Sequence, residues 1–505
     1  MAQNEQAMHA MATASLNGDD SELAISFKGV RYDWGWMRGV ADRLEALLQK
    51  AGVGPGDAIG FAPRNRPECG AALLGLIAAG HDIVMIYSYQ SAEAIGRKIS
   101  DLRCAAIVGP ADIWGDPARD AAIATGALAI ALDGAEVTVI DGTTLDRTVD
   151  HRAAEEYPGI ALLTSGTTGA PKHFHMSYEV VTRALIRETA MPDLVKKVSG
   201  LPPAKTMSLQ ALPFGNIGGL YAYLPHALAR HPVTMLEKFS LDDWLAYIRE
   251  WRPKSGGLPP AAVRMVLDAN VPSEDLSSIR FISSGAATLD PTAHREFEER
   301  YGIPILLSYG ATEFGGIVSL MTFDDHAKYG AEKFGSVGRP WAGAQLQVVD
   351  PVSRELLPAD TEGELEVLAP RMGSDWIRTT DLAIIDADGF IFHRGRSDGA
   401  LMRGGFKIVP EVVSAALAEH PAIGAAAVVG IADRRLGEVP VAAYELRPDS
   451  PPVTSEDLEA HLRRSLPSTH LPVRYIEVES LPRTPSLKLD IMAVRRLFEA
   501  EAASA

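Results

Sequence analysis

The chain predicts an α/β protein with a large N-terminal domain of helix-covered sheets, a β-rich subdomain and a small C-terminal α+β domain. Three observations carry this prediction. Helical and strand-like patterns alternate from about residue 33 to residue 309, the signature of parallel sheets covered by helices on both faces. Between Gly335 and His393 the texture changes to short alternating strands and turns. At 505 residues the chain is too long for one core, and its 47% apolar and 22% charged composition is that of an ordinary globular protein.

Residues 33–51 read as a helix because Val40, Leu44, Leu47 and Leu48 recur at helical spacing. The turn Val53-Gly54-Pro55-Gly56-Asp57 then leads into a strand at 59–61. Residues 71–79 read as a buried helix and 91–101 as a second helix, with strands at 82–87, 105–108 and 137–140. Past an apolar run at 160–163, helices are expected over 177–189, 217–230 and 241–251, and strands over 206–212, 233–235, 280–283 and 305–309. Three of these strands end in polar or glycine-rich turns, at 164–172, 283–287 and 308–313, and ligands gather at the carboxyl ends of strands in such sheets. The β-rich subdomain has strands at 345–349, 363–367 and 391–393. Gly395-Arg396-Ser397-Asp398-Gly399 is charged and flexible, so the domain boundary is read there. Beyond it a strand-like stretch, 401–408, leads to Pro410 at the start of a helix with Val412, Val413, Ala416 and Leu417, and then to strands at 425–429 and 439–446. Thr454 and Asp457 have capping-box spacing before a helix whose Leu458, Leu462 and Leu466 share a face.

The net charge of −17 disfavours binding to a phosphate backbone, which needs a positive footprint, so no nucleic-acid partner is expected. Two cysteines, Cys69 and Cys104, with no paired spacing suit a reducing cytoplasm. Residues 1–20 lack the basic flank and apolar stretch of a secretory signal, and the longest apolar run, 71–80, is too short to span a membrane. A soluble enzyme acting on small molecules is the expectation, with a homodimer as the default assembly.

Thr164-Ser165-Gly166-Thr167-Thr168-Gly169-Ala170-Pro171-Lys172 offers four hydroxyls, two permissive glycines and an ammonium, a set of donors that suits a polyphosphate. Pro171 stands where a Walker A loop has its second glycine, so a different phosphate loop is implied. The same residues also suit a solvated turn.

This segment, Tyr309-Gly310-Ala311-Thr312-Glu313, Thr380-Asp381, Gly395-Arg396-Ser397-Asp398, Gly405-Phe406-Lys407-Ile408 and Pro482-Arg483-Thr484-Pro485-Ser486-Leu487-Lys488 resemble, in order and spacing, the motifs of the adenylate-forming superfamily of acyl-CoA synthetases, adenylation domains and luciferases. The resemblance covers about residues 30–495 and points to the acyl-CoA synthetase branch. It implies an ATP- and Mg²⁺-dependent ligase that forms an acyl adenylate, releases pyrophosphate and passes the acyl group to coenzyme A with release of AMP.

By that resemblance Thr164, Ser165, Gly166, Thr167, Thr168, Gly169 and Lys172 would hold the phosphates, and Tyr309 with Gly310 would meet adenine beside Ser284-Gly285-Ala286. Thr312 would bond the α-phosphate, Glu313 would hold Mg²⁺, and Asp381 with Arg396 nearby would take the ribose hydroxyls. Lys488 would bridge carboxylate and α-phosphate, Lys407 would be a further cofactor-binding residue, and Gly405 would belong to the thiol-side face of a mobile C-terminal domain that alternates between two orientations. The resemblance divides the chain into residues 1–396, a hinge at 397–398 that pivots at Asp398, and residues 399–505.

Three departures from the family pattern stand out: His173 after the phosphate loop, Leu487 before the lysine, and Gly215-Asn216 where many relatives carry a Phe-His pair. No acidic residue lies between Thr206 and Arg230, which disfavours an α-amino acid substrate. Phe214, Asn216, Gly218, Ala311 and Gly315, with the neighbouring Gly215, Gly219 and Gly316, are expected around the acyl pocket, where small residues leave room for an aryl, alicyclic or fatty acid. Two alternatives stand beside the ligase: a stand-alone adenylation enzyme that loads a carrier-protein phosphopantetheine, and an inactive nucleotide- or acyl-binding protein.

Overall fold

A computed structural model describes residues 2–164, 172–187, 207–397, 399–403, 406–433, 436–448, 450–485 and 487–504. The chain forms two compact units: Met1–Pro253 with Ala311–Gly316, and Lys254–Gly310 with Ile317–Ala505.

The first unit is built on a seven-stranded sheet, ordered Glu136–Val139, Leu128–Asp133, Ala106–Pro110, Ala58–Phe61, Asp82–Met85, Gly159–Thr164, Lys172–Ser177. Its five inner strands are parallel and both edge strands antiparallel. Successive side chains on a strand point to opposite faces, and here they divide between two cores. Ile59, Phe61, Ile83, Met85, Ile160 and Leu162 join one, beside Val40, Leu44 and Leu74. Ala58, Val84, Ile86, Ile107 and Ala161 join the other, beside Ile95, Ile99 and Ala118. Such a sheet is buried on both faces, as parallel sheets must be. The helix Trp34–Lys50 is capped by Asp33, whose Oδ1 accepts from the Trp36 amide at 2.8 Å.

Two local expectations need correction, and three elements went unread. The N-terminal stretch is a helix, Ala2–Leu16, whose Met8, Ala12 and Leu16 are buried; alanines between these positions disguise its apolar stripe. The helix expected over 177–189 is a short α-helix, Tyr178–Val181, continued by the wider π-helical turn Thr182–Arg187. The strands Leu128–Asp133 and Trp376–Ile385 went unread. The stretch 401–408 is a hairpin of Leu401–Arg403 and Phe406–Ile408, with Leu401 opposite Ile408.

In the second unit the parallel strands Ser255–Gly257, Phe281–Ser284 and Ile305–Ala311 begin a five-stranded sheet completed by Gly316–Leu320 and Arg339–Pro340. An antiparallel sheet follows: Gln345–Val349, Gly363–Leu368, Trp376–Ile385, Ile391–Arg396. The last sheet has the order Phe406–Ile408, Leu401–Arg403, Gly437–Leu446, Ile423–Asp433, with Tyr475–Glu477 paired to Gly437–Leu446. One of its faces packs Val413, Leu417, Leu458 and Leu462, and the other packs Val494 and Phe498. Thr454 and Asp457 form the capping box their spacing predicts.

Candidate active site

The expected phosphate loop joins Gly159–Thr164 to Lys172–Ser177, with Thr164 opposite Lys172 in the antiparallel register. A Walker A loop runs into a helix, whereas the described chain continues here as the strand Lys172–Ser177. Ser165, Gly166, Thr167, Thr168 and Gly169 lie outside the described residues, as do Asp398 and Gly405. The base of the hairpin is held by Asp82, fully buried, whose Oδ1 accepts from the Gly159 amide at 3.0 Å and lies 3.0 Å from His175 Nε2. Neither Asp82 nor His175 belongs to a motif, so sequence reasoning passed them by.

In the second unit the strand Ile305–Ala311 runs beside Phe281–Ser284, pairing Ser284 with Leu307. At the end of the shorter strand Ala286 takes a left-handed φ of 66°, and a side chain at Gly285 would stand 2.6 Å from Ser308 Oγ. The turn Ser284-Gly285-Ala286 thus lies against the strand that carries Tyr309. The Tyr309 hydroxyl donates to Asp381 Oδ2. Arg396 Nη1 lies 3.6 Å and His393 Nε2 lies 3.5 Å from Asp381 Oδ1. Arg396 also donates to Thr380 Oγ1 at 2.6 Å. Asp381 sits in the middle of a ten-residue strand and is only 8% exposed. Burial works against its charge, but hydrogen bonds from His393 and Tyr309 and the Arg396 guanidinium outweigh it and hold the carboxyl below the usual range.

His393 is absent from every motif, and the reason is a β-bulge. Asp381 pairs with Arg396 and Leu382 with Gly395, but Ala383 pairs with His393 rather than Arg394. The extra residue reverses the alternation beyond it, so His393 stands on the face of Asp381 where regular pairing would present Arg394.

Thr312–Phe314 forms a single 3₁₀ turn that ends at Gly315, with φ of 63°. Thr312 and Glu313 are half-buried on it, and Phe314 anchors it in the interior. The Tyr221 hydroxyl donates to the Gly315 carbonyl. Gly316 has φ of 112°, and a Cβ there would stand 2.0 Å from the Tyr221 oxygen. The space left by this glycine is therefore filled by Tyr221.

Phe214 is fully buried, edge-on to Tyr223 with ring centroids 4.9 Å apart. Its amide donates to Asn65 Oδ1 at 3.2 Å, while Asn65 Nδ2 donates at 3.1 Å to the carbonyls of Leu212 and Leu236. Asn216 is the N-cap residue of the helix Ile217–Leu228 without a side-chain capping bond, and Gly218 lies in the helix's first turn. A side chain at Gly219 would come within 2.1 Å of the Pro213 carbonyl oxygen, so its small size serves packing. Gly215 is more open, with Tyr87 Cδ2 at 3.5 Å as the nearest neighbour of a Cβ there.

Lys407 sits on the strand Phe406–Ile408 opposite Met402. Lys488 follows a tight turn in which the Thr484 amide donates to the Lys488 carbonyl at 2.7 Å and the Leu487 amide donates to the Thr484 carbonyl at 2.8 Å. Leu487 occupies the left-handed region, φ 61°, which explains why glycine suits this position. The Lys488 side chain reaches solvent, yet neighbouring protein atoms partly desolvate its ammonium and lower its pKa.

A family model described as "AMP-binding enzyme" matches residues 13–374. The chain belongs to this family. A second model, "AMP-binding enzyme C-terminal domain", matches residues 413–488, ending on Lys488. The adenylate-forming membership read from six short motifs therefore holds over the chain. Among curated relatives, fatty acid–[acyl-carrier-protein] ligase ScoC of Streptomyces coeruleorubidus is 26% identical over 483 residues, covering 92% of this chain and 91% of its own. The 4-coumarate–CoA ligase 3 of Oryza sativa subsp. japonica is 27% identical over 495 residues, covering 91% of this chain and 86% of its own. ATP-bound MatB from Rhodopseudomonas palustris has the same fold, with a TM-score of 0.80 at 23% identity over 97% of this chain and 99% of that one. Among the described residues of this AMP-binding enzyme, no helix is long and apolar enough to cross a membrane.

Proposed function

We propose that this AMP-binding enzyme is a carboxylic acid:CoA ligase that activates its acid as an acyl adenylate. The observation that carries the reading is the cluster of Tyr309, Asp381 and Arg396, drawn from three strands, beside the Ser284-Gly285-Ala286 turn. Two carboxylate oxygens held by flanking donors suit a vicinal diol, and an aromatic ring next to them suits a purine.

In the first half-reaction an oxygen of the acid attacks the α-phosphorus of ATP and the bond to pyrophosphate breaks. In the second, the thiol sulfur of CoA attacks the acyl carbon, the bond to AMP breaks and the thiol proton goes to solvent. A bare carboxylate repels the phosphates it must attack, so fixed positive charge and N–H donors supply most of the catalysis. Thr164 to Lys172 would grip the departing pyrophosphate, and Thr312 would bond the α-phosphate. Lys488 would neutralise the charge between acid and α-phosphate; an anion beside it favours the ammonium that partial desolvation disfavours.

Among the described residues no group of three or more His, Cys, Asp or Glu could form a metal cage. Glu313 would hold Mg²⁺, which is commonly bound by one or two carboxylates together with substrate phosphates and water. When bound there, Mg²⁺ supplies positive charge to the phosphate oxygens.

The acid is read as bulky and apolar, aryl, alicyclic or fatty, because the 206–230 segment lacks an acidic partner for an ammonium and Gly215 leaves space beside Tyr87. Relatives named for fatty acids and for 4-coumarate lie on both sides of that range. A second reading, loading of a carrier-protein phosphopantetheine, draws on the ligase ScoC, whose name carries that acceptor. The test is pyrophosphate release across a panel of carboxylic acids, with CoA, with a phosphopantetheinylated carrier protein and with neither. Release with CoA-thioester formation is expected. Thioester formation on the carrier alone would replace CoA as the acceptor, and silence with every acid would overturn the enzyme reading.

A further inference from the structure

We infer that His393 is a positioning residue of the ribose site, a role that rests on Asp381 as the acceptor of the ribose hydroxyls. A carboxylate has about four acceptor positions. The Tyr309 hydroxyl takes one on Oδ2, while His393 Nε2 and Arg396 Nη1 approach Oδ1 from 3.5 and 3.6 Å. Donors thus brace both oxygens, which sets the plane of the carboxylate; Oδ2 keeps a second position for one hydroxyl of a vicinal diol, and the contacts to Oδ1 are long enough for that oxygen to be shared with the other.

His393 differs from the other two donors in how it arrives. Regular pairing would bring Arg394 to the face of Asp381; the bulge substitutes the histidine, and Arg394 instead lies 6.0 Å from the centroid of the Phe392 ring. The His393 ring also stands beside that of Tyr309, with centroids 5.8 Å apart and planes inclined by 31°. One ring therefore neighbours both the aromatic platform expected for the base and the carboxylate expected for the sugar. A bulge that re-aims a single side chain toward a buried charge is a common device near active sites.

The full-length protein is titrated calorimetrically with ATP and with 2′,3′-dideoxy-ATP, without acid or CoA, for the wild type, His393→Leu and His393→Gln. His393→Leu is expected to weaken ATP about three- to tenfold, the range of one lost hydrogen bond, because Asp381 loses one brace. The same variant is expected to bind dideoxy-ATP with wild-type affinity, since that ligand has no diol for Asp381 to hold. His393→Gln keeps an N–H donor and is expected to recover most of the ATP affinity. Unchanged ATP binding in His393→Leu overturns the inference, and so does an equal loss for both nucleotides or a Gln variant no better than Leu. A wild type that prefers dideoxy-ATP or binds both nucleotides alike overturns the ribose reading of Asp381 itself, a result distinct from the failure of His393.

Discussion

Asp381 and Asn65 are both buried polar side chains with several hydrogen-bonding neighbours, yet the two regions are built for opposite ends. Asp381 is charged, and the groups around it are side chains: a phenol, an imidazole and a guanidinium. Such partners can turn and share their acceptor when a ligand arrives. Asn65 is neutral and fully buried, and its amide serves backbone alone, bonding two carbonyls and one N–H of the segments around Leu212, Phe214 and Leu236. A saturated amide locked onto backbone has nothing left to offer a substrate. Buried polarity by itself therefore does not mark a site; what marks one is acceptor capacity held by side chains.

The contrast can be broken by substitution, and the largest effect is expected at the extreme of the first kind. Lys488→Ala should slow pyrophosphate release by on the order of 100- to 1,000-fold, as loss of a fixed stabilising donor does, while sparing thioester formation from a supplied acyl adenylate. Equal loss in both half-reactions would argue against alternation of the C-terminal domain. Because partial desolvation lowers the Lys488 pKa, the ammonium is lost as pH rises through a value below the ordinary one for lysine. Wild-type adenylation should accordingly fall on the alkaline side at a lower pH than for a fully hydrated lysine, as a pH–rate profile would reveal.

Asn65→Leu should cost about 2–4 kcal/mol of stability by leaving two carbonyls and an N–H unsatisfied, measured as a lowered denaturation midpoint. ATP affinity per folded molecule should hardly move. Asp381→Asn should do the reverse, weakening ATP about 10-fold or more through loss of a charge-assisted acceptor while changing the midpoint little. If both variants lost stability and binding in proportion, the distinction between site and scaffold would collapse. Smallest of all, Leu487→Gly removes a left-handed penalty of about 1–2 kcal/mol but adds a similar unfolded-state entropy, so a net shift under about 1 kcal/mol is expected. Leu487→Val, β-branched at φ 61°, should be clearly less stable than either in the same melting experiment.

Much of this molecule was legible before any fold was known, because the signals were local. The helix Leu241–Trp251 and the strand Val233–Met235 fall where periodicity places them, and the capping box at Thr454 forms as its spacing requires. The motif residues Tyr309, Asp381 and Arg396 were legible as candidates one at a time. The resemblance set them around one nucleotide, but the direct Tyr309–Asp381 bond was not legible: the two are 72 residues apart, and the strand Trp376–Ile385 that carries Asp381 went unread. The room expected at Gly316 was also misjudged, since the partner that fills it, Tyr221, is remote in sequence.

The order of elements, the double-sided burial of the parallel strands and the family motifs are properties of the sequence by itself, because caps, turns and side-chain periodicity act within a few residues. Only the tertiary structure decided that Asn65 would tie down Phe214, that Ala2–Leu16 would cover the core as a helix, and that His393 rather than Arg394 would face Asp381. Each depends on register or burial between distant segments, and a shift of one residue in pairing reverses which side chain meets which. That is the step at which a row of candidates becomes a site.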